Sequence, residues 1–407
     1  MNIKALFKSM LLRKFATGLL IFQLILTLGL ACNSLLLSIE ANEKMSRDVG
    51  FEMDNVLAFQ IRPTSEAFLD ADFFLSVVEE DMAALKNLTE VELVSYSNQL
   101  PLMRGGNYHS IEDANHPEDV PVDSQFNGIP TYYTGQDFFR LLGASMHQGR
   151  DFEAADNATR GYLESMDFEP NIILTRSLAE ALYPNKSAIG KQTNEGRIVG
   201  VVSDLAITPS RRYSHYGIFK FRNMARAQGR LYYLLKVTPG SEQEIKKKII
   251  SALKQVHPER DIKDIFTMKE HHSDYYKEAT SLATLFSLLT AFMLFVTMIS
   301  SFAHAHFHVS KQKKLIGIRR ALGARKKDVL VYVMSENWLI SLIAAGLGVA
   351  SVIAINILLG KVITMPKPDV ISYLSCVMIV FISGTLATWL PAWKTTKIAP
   401  VTATRTV

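Results

Sequence analysis

Four stretches of this 407-residue chain contain no Asp, Glu, Lys or Arg: Phe15–Ile39, Ala279–Ala303, Asn337–Gly360 and Val370–Trp393. A helix rises 1.5 Å per residue, so crossing the ~30 Å hydrocarbon core of a bilayer takes about 20 residues. Each stretch is long enough. Each is also apolar on every side, unlike the one-faced helices of soluble proteins. They read as four transmembrane helices. The first is too long to be the apolar core of a secretory signal, which spans only about 7–15 residues. The predicted fold class is therefore a membrane protein with four transmembrane helices and, between the first two, a large α+β external domain.

The basic residues orient these spans. Lys4, Lys8, Arg13 and Lys14 precede the first span, with no acid among them. Lys311, Lys313, Lys314, Arg319, Arg320, Arg325, Lys326 and Lys327 lie between the second and third, and Lys394, Lys397 and Arg405 follow the fourth. The positive-inside rule makes these three flanks cytoplasmic and the long segment after the first span periplasmic. Residues 40–278 hold 27 Lys+Arg against 36 Asp+Glu, a net −9, which leaves +14 elsewhere and +5 in total. The basic excess belongs to membrane topology, so nucleic acid is not an expected partner.

The predicted organisation is a cytoplasmic flank 1–14, a span 15–39, an external domain 40–278, spans 279–303, 333–360 and 370–393, a cytoplasmic loop 304–332 and a cytoplasmic tail 394–407. In this reading the chain sits in a bacterial inner membrane with both termini cytoplasmic. Cys32 and Cys376 are the two cysteines and both fall within spans, so disulfides do not brace the external domain.

Two parts of that domain share a strand–helix–strand rhythm. NVLAFQI, DFFLSVVEEDMAALKNL and VELVSYS fill about residues 50–98, while RLYYLLKVTPG, SEQEIKKKIISALKQVH and DIKDIFTM fill about 230–268. In the second, Ile245, Ile249, Ala252, Leu253 and Val256 repeat at helical spacing on one face. Ser241 followed by Glu244 fits a capping box. The pair suggests two βαβ units in one mixed sheet, with residues 99–229 as an inserted subdomain of short strands and one helix near Ser177–Leu182. The flanks Leu35–Asp48 and Lys269–Glu278 lack Gly and Pro, so the first two spans are expected to continue outward as helix.

No catalytic constellation is present. PNKSAIGKQT has the Gly-Lys pair of a phosphate loop, but Asn185 stands at the first glycine position and Gln192 replaces the magnesium-binding hydroxyl. His304, His306 and His308 alternate on a helix, which is poor metal geometry and better suits a polar collar at the membrane boundary. His271 and His272 have no companion cluster. Neither an HExxH pattern nor a Gly-x-Ser-x-Gly elbow occurs. Ionisable residues stay at the ends of the spans, where Glu336 sits, so no proton or ion pathway is visible. The chain reads as a non-enzyme with no cofactor and no metal, whose energy comes from a partner.

The segment KKLIGIRRALGARKKDV, Lys313–Val329, is where such energy could enter. If helical, Leu315, Ile318 and Leu322 line one face, Arg319, Arg320 and Arg325 occupy others, and Gly323 breaks the helix. Charge held against anionic lipid would account for some of this. The apolar thread and the Gly-Ala pair exceed that need and suit docking on a partner.

IGIRRALGARKKDV resembles the cytoplasmic loop of MacB/FtsX-type ABC transporter permeases, in Ile316, Gly317, Ile318, Arg319, Ala321, Leu322, Gly323, Ala324 and Asp328. LPAWKTTKIAPVTATR resembles the family's C-terminal pattern, and VGFEMDNVLAF, YYTGQDFFRLLGASMHQGRDF, NIILTRSLAEALYP and IVGVVSD follow its external domain in order. The resemblance implies a porter-like domain with an inserted subdomain, a permease dimer (homodimer or heterodimer) and a cytoplasmic ABC ATPase as partner. It implies that Ile316, Gly317, Ile318, Arg319, Arg320, Ala321, Leu322, Gly323 and Ala324 dock that ATPase, expected on a separate polypeptide. Leu315 stands where the family pattern has an acid, which points to weaker or asymmetric coupling and to pairing with a second, different permease. The implied function is export of a peptide, toxin or antibiotic with a periplasmic membrane-fusion adaptor. Lipoprotein release, and FtsX-like regulation of a periplasmic partner without transport, are the alternatives.

Overall fold

The computed structural model describes residues 14–114, 126–158, 169–207, 214–222, 231–359 and 369–395. The flank before Lys14, the tail after Thr395 and the side chains of Lys313, Lys314, Leu315 and Arg320 lie outside that description. The chain divides into a sheet unit, Arg47–Tyr275, and a helical unit formed by Met1–Ser46 with Tyr276–Val407.

The sheet unit contains strands β1 (Val56–Pro63), β2 (Val91–Ser97), β3 (Tyr108–His109), β4 (Ile129–Thr134), β5 (Met146–Gly149), β6 (Asn171–Thr175), β7 (Gln192–Thr193), β8 (Gly196–Val202), β9 (Ile218–Phe221), β10 (Tyr232–Val237) and β11 (Arg260–Thr267). The chain's helices are α1 (Lys14–Ser46), α2 (Ala71–Lys86), α3 (Phe138–Leu141), α4 (Arg176–Leu182), α5 (Glu242–Val256), α6 (Met268–Ala321), α7 (Lys326–Leu359) and α8 (Val370–Thr395). The sheet runs β11-β1-β10-β2-β4-β9-β6-β8-β5.

Its first four strands are mutually antiparallel neighbours. Helix α2 joins β1 to β2 and α5 joins β10 to β11, so each βαβ unit is split by a strand of the other. The two units expected from the sequence are thus interleaved into a ferredoxin-like pattern rather than laid side by side. The reason is burial. Leu57, Phe59, Tyr233 and Leu235 form one apolar face, and only interleaving lets both helices cover it together. Phe74, Val77, Val78 and Leu85 of α2 and Ile245, Ile249 and Leu253 of α5 complete this core. Asp70 starts α2 by accepting the Phe73 amide at 2.9 Å.

Ser241 does stand before α5, but the expected capping box is absent. Its backbone is already helical, with φ −92° and ψ −2°, and its hydroxyl donates to the Thr238 carbonyl at 2.7 Å instead. A reciprocal box occurs at the start of α6. There the Thr267 amide donates to Glu270 Oε2 at 2.7 Å, and the Glu270 amide donates to Thr267 Oγ1 at 3.1 Å.

Beyond β2 the sheet continues through the inserted part. NIILTRSLAEALYP folds as β6 and α4, and β6 pairs in parallel with β8. Leu178 and Leu182 of α4 pack on Ile172, Leu174, Ile198 and Val201.

In the helical unit, α1, α6, α7 and α8 are each long and apolar enough to cross a membrane, and the chain is a membrane protein. Leu20, Leu24, Leu28, Cys32 and Leu36 recur every four residues along α1 and pack against Ile340, Ala344 and Val352 of α7 and Cys376 and Val380 of α8. The helices come close at Gly348, where a Cβ would lie 2.6 Å from Leu28 Cδ2. Hydroxyls join α1 to α6: Thr27 Oγ1 lies 2.8 Å from Thr297 Oγ1, and Ser34 Oγ 3.1 Å from Ser287 Oγ. Such small polar residues are the common adhesive between membrane helices, where lipid removes the hydrophobic drive to associate.

Candidate functional site

The candidate site is the corner between α6 and α7. The sequence places a cytoplasmic loop at 304–332, broken at Gly323 where it is helical. Instead, the segment is the end of α6, which runs unbroken through Ala321. No proline interrupts it, and Gly317 is buried within the helix.

The helix stops at Gly323, whose φ of +96° is a left-handed conformation that costs a side-chain-bearing residue about 1–2 kcal/mol. The Ala324 amide reaches back to the Arg319 carbonyl at 3.0 Å, closing a Schellman cap. Two residues later Lys326 starts α7, and Asp328 stands in its first turn. Its Oδ2 accepts the Arg325 amide at 2.9 Å, satisfying one of the orphan donors of a helix N-terminus.

Ile316 anchors the corner from inside. It is 1% exposed and packs with Val309, Val329, Val333, Met334 and Ala392, which come from α6, α7 and α8. Arg319 is held across the turn by the Tyr332 ring, with its guanidinium carbon 4.3 Å from the ring centre. Ile318 and Leu322, one turn apart, share the outer face and are 41% and 82% exposed. Beside them lies an open groove of about 400 Å³, lined by Arg319, Leu322, Ala324, Asp328, Val329 and Tyr332 among others.

Arg325, Lys326 and Lys327 are exposed at the N-terminal end of α7. Cations at that end oppose the helix dipole, at about 0.3–1 kcal/mol each. Their presence there is not explained by helix stability. The corner thus presents an apolar knob flanked by basic side chains and pinned from inside.

Of the residues singled out from sequence, Ile316 and Gly317 are buried, while Ile318, Arg319, Ala321, Leu322 and Gly323 are exposed and Ala324 is half-buried. Leu315 and Arg320 lie in the helix, with their side chains outside the described structure. Sequence reasoning missed Tyr332 as the seat of Arg319. It also missed that His308 turns inward rather than joining a polar collar at the membrane boundary. His306 is exposed and stacks on Phe302, but His308 is buried with its Nδ1 2.8 Å from Glu336 Oε2. The signal was available. In an antiparallel helix pair, residues equally distant from the turn lie opposite each other, and 308 and 336 are nearly equidistant from Gly323.

Similarity to known proteins covers both units. The profile of the MacB-like periplasmic core domain matches residues 19–252, and that of the FtsX-like permease C-terminal matches residues 285–400. The macrolide export ATP-binding/permease protein MacB of Chromobacterium violaceum is 25% identical over 300 residues, covering 70% of this chain and 44% of its own length. MacB 1 of Yersinia pseudotuberculosis is 25% identical over 353 residues, covering 81% and 48%. MacB of Agrobacterium fabrum is 24% identical over 305 residues, covering 70% and 44%. The chain spans about half the length of these curated relatives.

Proposed function

The chain belongs to the MacB/FtsX-type family of ABC transporter permeases, and from that premise we propose that it is the permease subunit of an ABC-type exporter. In this reading the ATP-hydrolysing subunit is a separate cytoplasmic ABC ATPase, and it docks on the α6–α7 corner. Leu322 and Ile318 seat in an apolar site on the ATPase, and Arg319, Arg325, Lys326 and Lys327 meet acidic groups around it. Closure of the ATPase pushes on Ala321, and the unbroken α6 carries that push along its 54 residues towards Met268.

A second permease protomer, the same chain or a different one, completes the assembly in the inner membrane with both termini cytoplasmic. A periplasmic membrane-fusion adaptor receives the cargo from the external domain. The relatives' names supply macrolide export, which supports an antibiotic ahead of a peptide or toxin as cargo. The match to the FtsX-like C-terminal domain supports a second reading, in which the same motion regulates a periplasmic partner without transport.

The observation that carries the proposal is Leu322, a large apolar side chain presented almost fully to solvent among cations. A minority of interface residues cost more than about 1 kcal/mol when truncated, and the proposal places Leu322 among them. The test is the Ile318→Asp, Leu322→Asp variant, coexpressed with the candidate ATPase and reconstituted in lipid nanodiscs. Copurification and permease-stimulated ATP hydrolysis are expected to fall at least about tenfold, which corresponds to 1.4 kcal/mol, with membrane insertion unchanged. Full stimulation by the variant sinks the docking role.

A further inference from the structure

We propose that Cys32 and Cys376 are a redox site, a thiol pair that closes to a reversible disulfide and clamps α1 to α8 inside the membrane bundle. The proposal stands on the pair's own surroundings and is independent of the exporter reading.

These are the only two cysteines of the chain, and the fold brings them to one place from its opposite ends. Cys32 is 1% and Cys376 0% exposed. The two thiols are hydrogen-bonded to each other. A free cysteine packs as a small apolar side chain, so burial beside Leu28, Leu36 and Val380 accounts for a thiol at either position. It does not account for two thiols in contact. Packing is served as well by Val or Ala on either helix, whereas a bond between the helices needs sulfur on both.

The thiols also lie at matching depth. Cys32 comes seven residues before Ile39, where the first charge-free stretch ends, and Cys376 six residues after Val370, where the fourth begins. At 1.5 Å per residue, each is about 10 Å inside its stretch. Alternating spans put Ile39 and Val370 on the same side of the membrane, the side on which α1 leads into the sheet unit at Arg47.

The oxidant suited to a site at this depth is a lipid-soluble two-electron acceptor of the quinone class. Both S–H bonds break and one S–S bond of about 2.05 Å forms. The two electrons and two protons pass to the quinone, which leaves as hydroquinone. A dithiol reverses the step by exchange through a mixed disulfide and is itself oxidised to a disulfide.

What the bond fixes follows from the packing. Leu20, Leu24, Leu28 and Leu36 already seat α1 on α7 and α8, and Thr27 and Ser34 meet α6 through hydroxyls. A covalent tie makes α1, α7 and α8 one block and leaves α6 held by noncovalent contacts alone. Oxidation thus fixes the point where α1 leaves the bundle for Arg47, without fastening α6.

The test uses the full chain in lipid nanodiscs, oxidised with diamide, a membrane-permeant diazene that accepts the same two electrons and two protons. The chain is then quenched in acid, denatured and labelled with a maleimide-polyethylene glycol. Free thiols are expected to fall at least about tenfold on oxidation and to return with dithiothreitol. After proteolysis within the external domain, the fragment carrying α1 is expected to stay joined to the one carrying α8 until reductant is added. Thiols that survive oxidation, or a disulfide that joins two chains instead, overturn the proposal. Steric trapping of α1 reads the clamp itself. Oxidation is expected to slow release of α1 from the bundle at least about tenfold, with full recovery on reduction and no response in Cys32→Ser. Equal release from oxidised and reduced wild type overturns the clamp. If Cys32→Ser fails to insert, that wild-type comparison still decides the matter, because the chain has no other cysteine to form a disulfide within itself.

Discussion

Each unit of this protein buries an acid–base pair, and the two pairs are built differently. In the sheet unit, Arg260 is 0% and Asp81 1% exposed at the side chain. The arginine donates to Asp81 Oδ2 and to the carbonyls of Leu253 and His257, and the Tyr233 hydroxyl donates to the same carboxylate oxygen at 2.9 Å. Only Oδ1 of that carboxylate is left over. In the helical unit, His308 and Glu336 are almost as deeply buried, at 3% and 4% exposure, and among the described residues they have no hydrogen-bond partner beyond their 2.8 Å contact. A network satisfied on nearly every side holds one arrangement, because any movement breaks several bonds at once. A pair with a single contact has no second bond to hold it in place. The first belongs to a domain that must keep its shape, and the second to helices that are proposed to move.

The largest expected effect tests the rigid side of this contrast. Arg260→Leu leaves Asp81 as a buried acid with only Tyr233 to meet it, and breaking a buried pair from one side costs about 3–5 kcal/mol. Arg260 also ties the end of α5 to β11 through the Leu253 carbonyl. Hydrogen exchange of the full chain is expected to show protection lost together across β1, β10 and β11. Removing both charges, in Asp81→Leu with Arg260→Leu, is expected to recover part of that loss. If Arg260→Leu changes exchange by less than a tenth of this, Asp81 and Arg260 do not hold the fold.

An intermediate case sharpens the comparison. Glu195 lies between two donors, with Oε2 2.8 Å from His109 Nδ1 and 2.7 Å from Lys220 Nζ. Burial alone raises the Glu195 carboxyl, but His109 and Lys220 outweigh it and hold it below the usual carboxylate range. A carboxyl lowered in the folded state binds protons more weakly there than in the unfolded chain. Its stabilisation is therefore complete above the ordinary value near pH 4.3 and is lost as pH falls through the lower folded value. Glu195→Gln is expected to cost about 1.5–3 kcal/mol at pH 7, as for hydrogen bonds to a charged group. It is also expected to flatten the acid limb of stability for β3, β8 and β9. An acid limb identical to the wild type would show that other groups set it.

Most of the architecture was legible in the sequence because it is written in local patterns. Charge-free stretches mark the spans, and the helical spacing of Ile245, Ile249 and Leu253 marks the buried face of α5. The interleaving of the two βαβ units was not legible, since strand order depends on which surfaces cover one another across 170 residues of chain. Capping was half legible. Ser241 and Glu244 carry the pattern without the bonds, while Thr267 and Glu270 carry both, and the difference lies in a backbone angle that composition does not encode. At the corner, Gly323 announced the break, but which residues turn inward did not follow. Ile316 rather than Leu322 became the anchor, because α7 and α8 pack on that side. In the sequence His308 and Glu336 stand apart, one in an alternating histidine run and the other at the edge of a charge-free stretch. Only the hairpin brings them together.

The smallest expected effect bounds how much uncharged polar contacts contribute to the bundle. Thr27 Oγ1 lies 2.8 Å from Thr297 Oγ1 and 2.9 Å from the Gln23 carbonyl, and Gln23 Nε2 reaches Thr297 at 3.4 Å. Thr27 and Thr297 are fully buried, so these bonds look strong by geometry. In a membrane, however, the separated helices find other partners, and such bonds average only about 0.6 kcal/mol. Thr27→Val keeps the shape and removes the hydroxyl, and it leaves Thr297 with Gln23 as a remaining partner. The expected loss, measured by unfolding the full chain in detergent or by steric trapping of α1, is about 0.6 kcal/mol and independent of pH. A loss above about 2 kcal/mol would mean that the hydroxyl ladder, not packing, fixes α1 against α6. In that case the looseness inferred for the helical unit would be confined to the α6–α7 pair. A small loss would mean that side-chain packing, not the hydroxyl contacts, fixes α1 against α6.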